Sequence, residues 1–114
     1  MMNWINLTDL TQLDLIREQS KNFPIIIFKH SRACSTSSMV ISRLERKWNT
    51  QEMGHVQTYF LDLLSYRQIS NAISDQFRIR HESPQVLVIR DGEAVYNGSH
   101  FEIDYSSVQK ATQV

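Results

Sequence analysis

Pro24-Ile25-Ile26-Ile27-Phe28-Lys29-His30-Ser31-Arg32-Ala33-Cys34-Ser35-Thr36-Ser37-Ser38 changes character twice along its length. Pro24 imposes an extended start, and Ile25 to Phe28 is a wholly apolar run rich in β-branched residues. That is the pattern of a strand buried on both faces, at the centre of a sheet covered by helices. His30-Ser31-Arg32-Ala33 reads as a loop, and from Cys34 to about Trp48 the pattern turns helical. Met39, Ile41, Leu44 and Trp48 alternate there with Arg43, Glu45, Arg46 and Lys47, as in an amphipathic helix. A buried strand therefore feeds a helix whose first turn carries the single cysteine of the chain.

Working outward, Asn6 to Thr8 offer cap residues, and Leu7, Leu10, Leu13 and Ile16 recur at three-residue intervals. A helix is expected over about 8–20. Beyond the central helix, Gly54 closes a turn and 55–61 reads as a strand, with Val56, Tyr59, Phe60 and Leu61 as its β-formers. A third helix is expected over about 66–77, with Ser65 as cap and Ile69, Ala72, Ile73 and Phe77 on one face. Strands at 85–90 and 94–99 follow Ser83-Pro84, joined by Asp91-Gly92, a strong hairpin signal. A weaker helix closes the pattern over about 103–112, with Asp104 near its start. The βαβ half makes a parallel pair and the ββα half adds a hairpin to the same sheet. The expected fold is α/β and thioredoxin-like: a four-stranded mixed sheet flanked by helices on both faces.

The chain has 114 residues, the size of one domain, taken as 1–114. A hydrophobic fraction of 41% supports one conventional core. Twelve Lys and Arg balance 12 Asp and Glu, so no basic footprint for nucleic acid or an anionic membrane exists. No apolar run approaches the roughly 18–20 residues of a membrane span. Met1-Met2-Asn3-Trp4-Ile5-Asn6 lacks the basic and apolar regions of a signal peptide. One cysteine cannot form an internal disulfide, and these features together predict a cytoplasmic protein in a reducing compartment.

A free thiol can be inert filling or a nucleophile, and its surroundings decide which. Cys34 stands among serine, threonine, arginine and histidine, poor company for core filling. At a helix N-terminus it faces unsatisfied N–H groups and the positive end of the helix dipole, which favour thiolate. Lys29, His30 and Arg32 are expected to add positive potential, and Ser37 to present its hydroxyl or its N–H to the sulfur. Pro84, directly before an apolar strand, cannot donate to the ladder and needs a special role. In a thioredoxin-like fold this place holds a cis-proline facing the nucleophile, and Ser83 before it offers N–H and C=O to an extended substrate. The four histidines, His30, His55, His81 and His100, have no spacing for a closed metal site with Cys34, so no metal is expected. His55 is assigned to solvent or a sheet edge, while His81 and His100 are candidates for the groove wall. No oriented base for a cysteine–histidine hydrolase is visible. Trp4, Trp48, Phe28 and Phe77 are assigned to the core or groove wall, and Tyr96 and Phe101 lie beside the hairpin.

Phe28-Lys29-His30-Ser31 leading to Cys34 and Ser37, then Asp62 to Asn71, Arg80-His81-Glu82-Ser83-Pro84-Gln85-Val86-Leu87, Asp91-Gly92 and Ser99-His100-Phe101 together resemble the monothiol bacilliredoxin family. These bacterial thioredoxin-fold proteins belong to the bacillithiol system. The resemblance runs in order over nearly the whole chain. It implies removal of bacillithiol from protein cysteines, with Cys34 as nucleophile and Ser83 and Pro84 as the substrate-facing loop. Where the family usually has threonine before the cysteine and proline after it, this chain has Ala33 and Ser35. Proline at the first helical position pre-organises the backbone, so the change bears on rate and substrate preference more than on reaction class.

The expected activity is monothiol thiol–disulfide exchange through Cys34, with Ser83, Pro84, Ser37, His30 and Arg32 binding substrate. Bacillithiol or a similar small thiol is the co-substrate, and no cofactor is tightly bound. The expected partners are S-thiolated proteins and a recycling thiol or reductase. Ser37 sits where a dithiol enzyme has its second sulfur and cannot resolve a disulfide. Two alternatives stand beside this reading. One is a non-catalytic thioredoxin-like binding module, distinguished by an unshifted Cys34 pKa. The other is an iron–sulfur scaffold, for which glycine after the cysteine is typical and Ser35 is a departure.

Overall fold

The computed structural model describes residues 2–113. Strands β1 (Trp4–Asn6), β2 (Ile25–His30), β3 (Gln57–Asp62), β4 (Gln85–Arg90) and β5 (Glu93–Ser99) form one sheet in the order β1-β3-β2-β4-β5. β2 is parallel to β3 and antiparallel to β4, so the sheet is mixed, with β2 at its centre. β1 is a fifth, edge strand, parallel to β3, where four strands were expected. It is held from outside its own sequence. The Thr58 hydroxyl donates to the Asn3 carbonyl at 2.9 Å, and the Trp4 ring packs on Phe28 and Phe60.

Helices α1 (Thr11–Gln19) and α4 (Arg67–Phe77) cover one face of the sheet. Leu13, Ile16, Ile69 and Ile73 pack there on Ile25, Ile27, Leu87 and Ile89. The other face carries α2 (Ser35–Lys47), α3 (Thr50–Met53) and α5 (Tyr105–Ala111), with Val40, Leu44, Met53 and Val108 on Ile26, Phe28, Val86 and Val88. Alternation of side chains along β2 sends odd positions to one layer and even positions to the other. The two-sided apolar run thus becomes a strand shared by two cores.

Several element ends differ from the sequence reading. α1 begins at Thr11, because Asp9 accepts from the Thr11 N–H at 2.9 Å while Gln12 reaches back to the N–H groups of Thr8 and Asp9. These bonds tie the turn before the helix, and Leu10 takes the N-cap position with no side-chain cap, at 45% exposure rather than in the apolar stripe. On α2 the buried stripe is Val40 and Leu44, while Met39 is 60% exposed. α3 is an extra turn, capped by the Asn49 side chain. Tyr66, not Ser65, occupies the N-cap position of α4; the Ser65 hydroxyl donates instead to Asp62. At the hairpin, Asp91 and Gly92 both take positive φ, 52° and 77°, the conformation a tight right-twisted hairpin requires.

Candidate active site

β2 ends at His30, and the chain turns through Ser31-Arg32-Ala33 into Cys34, whose extended backbone (φ −116°, ψ 114°) makes it the N-cap of α2. Ser35 is the first helical residue, so the helix starts here without a proline. The thiol is half-buried. The Ser37 N–H, and then the Thr36 N–H and hydroxyl, favour the thiolate and hold its pKa below the usual value against the opposing effect of partial burial, although the sulfur makes no cap hydrogen bond among the described residues. The cause is the open amides of the first helical turn, which favour an anion at this place.

The three nearby basic residues are not that cause. Lys29 is fully buried and points toward α4, reaching Ser70 and Ser74. Arg32 is turned onto Asp62 (2.5 Å) and Ser65 (3.2 Å). His30 is held toward the neutral form, chiefly by burial, with the Asp62 carboxylate opposing this and the Arg32 cation adding to it. The expected positive potential of Lys29, His30 and Arg32 at the sulfur is therefore corrected to a backbone effect.

Of the two roles open to Ser37, the N–H is the one that favours the thiolate, while it donates to the Cys34 carbonyl at 3.1 Å; the hydroxyl is engaged elsewhere. The fully buried hydroxyl accepts from the Ser31 N–H at 3.2 Å and lies 2.7 Å from His30 Nδ1. The His30 ring in turn packs against Phe60 with centroids 5.2 Å apart. Ser37 and His30 thus build the floor of the loop that carries Cys34.

Lys29 and Gln85 are partners across β2 and β4, so the residues after β2 and those before β4 emerge at the same end of the sheet. The loop that leads to Cys34 and the Ser83–Pro84 loop therefore both lie at that end. The Ser83–Pro84 peptide bond is cis. Pro84 is buried, and its carbonyl accepts from the His100 N–H at 3.0 Å. The N–H and C=O of Ser83 take no part in the chain's own turn and loop hydrogen bonds, and its Oγ is buried with no partner among the described residues. His100, at positive φ (55°), places its Nε2 3.3 Å from Glu82 Oε2. His81, on the loop before β4, and His100, opening a 3-10 turn over His100–Glu102, thus both stand at this sheet end, and His55 is exposed. Sequence reasoning missed Thr36, Asp62, Glu82 and Gln85. Asp62 is invisible as a partner of Arg32 until the parallel register sets it beside His30. Among the described residues no three His, Cys, Asp or Glu side chains gather as a metal site, and no helix is long and apolar enough to cross a membrane.

The sequence pattern of the family described as Monothiol bacilliredoxin BrxC matches residues 5–108. The chain belongs to the monothiol bacilliredoxin family. Among solved structures it is similar to a proposed oxidoreductase with a thioredoxin fold, at 28% identity and a TM-score of 0.81, over 96% of this chain and 93% of that one. It is also similar to the Malassezia sympodialis thioredoxin Mala s 13 (16% identity, TM-score 0.76, 98% and 90% covered). The Fasciola hepatica thioredoxin matches at 14% identity and a TM-score of 0.69, with 98% and 96% covered. The thioredoxin-like α/β fold read from the element order is the fold of this chain. As a bacilliredoxin with one cysteine, it is consistent with thiol–disulfide redox chemistry of the thioredoxin type. This bacilliredoxin keeps an acidified sulfur although Ser35 stands where the family usually has proline, because the amides of Thr36 and Ser37 supply the effect.

Proposed function

We propose that this protein is a monothiol thiol–disulfide oxidoreductase that removes bacillithiol, or a similar small thiol, from protein mixed disulfides. The observation that carries this reading is the acidified Cys34 thiol at the N-cap of α2, at the sheet end that also holds the unpaired Ser83 backbone. The Cys34 thiolate attacks the small-thiol sulfur of the mixed disulfide. A Cys34–small-thiol disulfide forms, the original disulfide breaks, and the target protein leaves as its thiolate, which takes a proton from water. Ser37 stands where a second sulfur would act and its hydroxyl is tied to Ser31 and His30, so resolution comes from outside. A second small-thiol thiolate attacks the Cys34-bound small thiol, releases the symmetric small-thiol disulfide and restores the Cys34 thiolate.

Ser83 lends its N–H and C=O to an extended target segment as a short added strand, while Pro84 shapes the turn. His30 and Ser37 brace the cysteine loop from its floor, and Arg32, on that loop, is paired with Asp62. The co-substrate is the small thiol, and the partners are S-thiolated proteins and a recycling thiol or reductase in a reducing cytoplasm. The test is mass spectrometry after mixing with a bacillithiolated protein. A bacillithiol adduct on Cys34, together with release of the reduced target, is expected for the native chain and neither for Cys34→Ala. A native chain that stays unmodified while its Cys34 titrates near 8.5 would mark a binding module instead.

A further inference from the structure

Lys29 and Gln85 face each other across β2 and β4, and each is 0% exposed. Both fall at odd positions, on the α4 side of the sheet, with Ile27 and Leu87 as their neighbours along the strands. The Lys29 ammonium has three protons and three acceptors: Ser70 O at 3.2 Å, Ser74 Oγ at 3.3 Å and His81 Nδ1 at 3.3 Å. None is a carboxylate, and Lys29 forms no salt bridge among the described residues. A buried cation without a counter-ion costs stability that an apolar residue of the same length would not. The sulfur gains nothing from it, since Lys29 is no cause of the Cys34 shift.

What the pair does hold is the loop before Pro84. Gln85 Nε2 donates to Arg80 O at 3.0 Å and its Oε1 accepts from Glu82 N–H at 3.4 Å, while Lys29 takes His81 between them. Pro84 is fixed from the far side by the His100 N–H. Arg80, Glu82 and Pro84 are thus tethered through their backbone and His81 through its ring, while Ser83 carries no tether by backbone or side chain among the described residues. Burial, and then the Lys29 charge, keep His81 toward its neutral form, and since an ammonium can only donate, Nδ1 is the acceptor of the Lys29 bond.

We propose that Lys29 and Gln85 form a buried latch that presents Ser83 in register for an extended protein substrate, making Lys29 a positioning residue that favours protein mixed disulfides over small ones. The inference rests on the exchange function proposed above and deepens it. A small disulfide needs only the sulfur of Cys34; a peptide needs Ser83 aligned as well.

The experiment compares Lys29→Met, His81→Ala and His81→Asn with the native chain on three substrates: iodoacetamide, a small aromatic disulfide and a bacillithiolated peptide. Losing the part-buried Lys29–His81 hydrogen bond, which both variants remove, predicts about a tenfold rise in KM for the peptide in Lys29→Met and His81→Ala. Rates with the two small reagents are expected to stay within about twofold, and His81→Asn, whose amide oxygen replaces Nδ1, to recover most of the loss. Amide hydrogen exchange at Glu82, whose N–H donates to Gln85 Oε1, reads the latch without any chemistry, and should accelerate in Lys29→Met and His81→Ala alone. Peptide kinetics unchanged in Lys29→Met, or an equal loss on all three substrates, overturns the proposal. So does unchanged amide exchange in that loop, even if the native chain exchanges with no disulfide at all; that last failure by itself overturns only the parent function.

Discussion

At the residue scale, the acidity of Cys34 comes from two backbone amides and a hydroxyl, not from neighbouring cations. The folded pKa lies below the ordinary thiol value, so alkylation by iodoacetamide should reach its plateau at a lower pH than for a free cysteine. Below the folded midpoint the rate should fall about tenfold per pH unit as thiolate is lost. Ser37 separates into two roles that one substitution resolves. Ser37→Ala keeps the backbone N–H that favours the thiolate, so the alkylation midpoint should hardly move. It leaves the buried Ser31 N–H without its acceptor, and urea denaturation should show a loss of roughly 1–3 kcal/mol. Lys29 makes a pH prediction of its own. Burial pulls its pKa from 10.5 to about 8, so across that window the unfolded chain binds more protons than the folded one. Stability of the native chain should therefore rise with pH from about 8 to about 10.5, by up to roughly 3 kcal/mol. Lys29→Met should lack that rise in parallel urea titrations.

At the scale of elements, the β4–β5 hairpin carries two glycines with different physics, Gly92 in its turn and Gly98 near the far end of β5. A Cβ on Gly92 would meet nothing within 4 Å, but its φ of 77° disfavours any side chain. Gly92→Ala should cost about 1 kcal/mol, all of it backbone strain. A Cβ on Gly98 would come within 2.6 Å of the Tyr96 hydroxyl and 3.3 Å of its ring carbon. Tyr96 packs against the α2 side of the core, so the rigid ring must move. Gly98→Ala should cost about 1–3 kcal/mol and alter the tyrosine fluorescence; equal costs for the two variants would contradict this assignment. The end of α2 nearest the site needs no proline, since the extended Cys34 backbone and the polar loop before it already stop β2 and start the helix.

At the scale of the whole molecule, two core layers share β2 and β4, so damage to either strand reaches both. Ile27 is fully buried at the centre of β2, and Ile27→Ala should lower the unfolding free energy by roughly 2–5 kcal/mol. Against a typical total of about 5–15 kcal/mol, that is a large share, and denaturation followed by far-UV dichroism and by tryptophan fluorescence should still coincide in one transition. The sequence by itself determined the order of the long elements, the buried strand feeding a helix at Cys34, the Asp91-Gly92 turn and the proline before β4. Each is written in neighbouring residues, where periodicity, β-branching and turn chemistry act locally. Only the tertiary structure decided that β1 joins the sheet, because three residues carry too short a pattern and depend on Thr58, Phe28 and Phe60. It also decided that Arg32 turns to Asp62, that the Ser37 hydroxyl serves His30, and that Lys29 and Gln85 grip the loop at 80–82. Those pairings join residues far apart along the chain, and they exist only once strand register has fixed which side chains share an end and a face of the sheet.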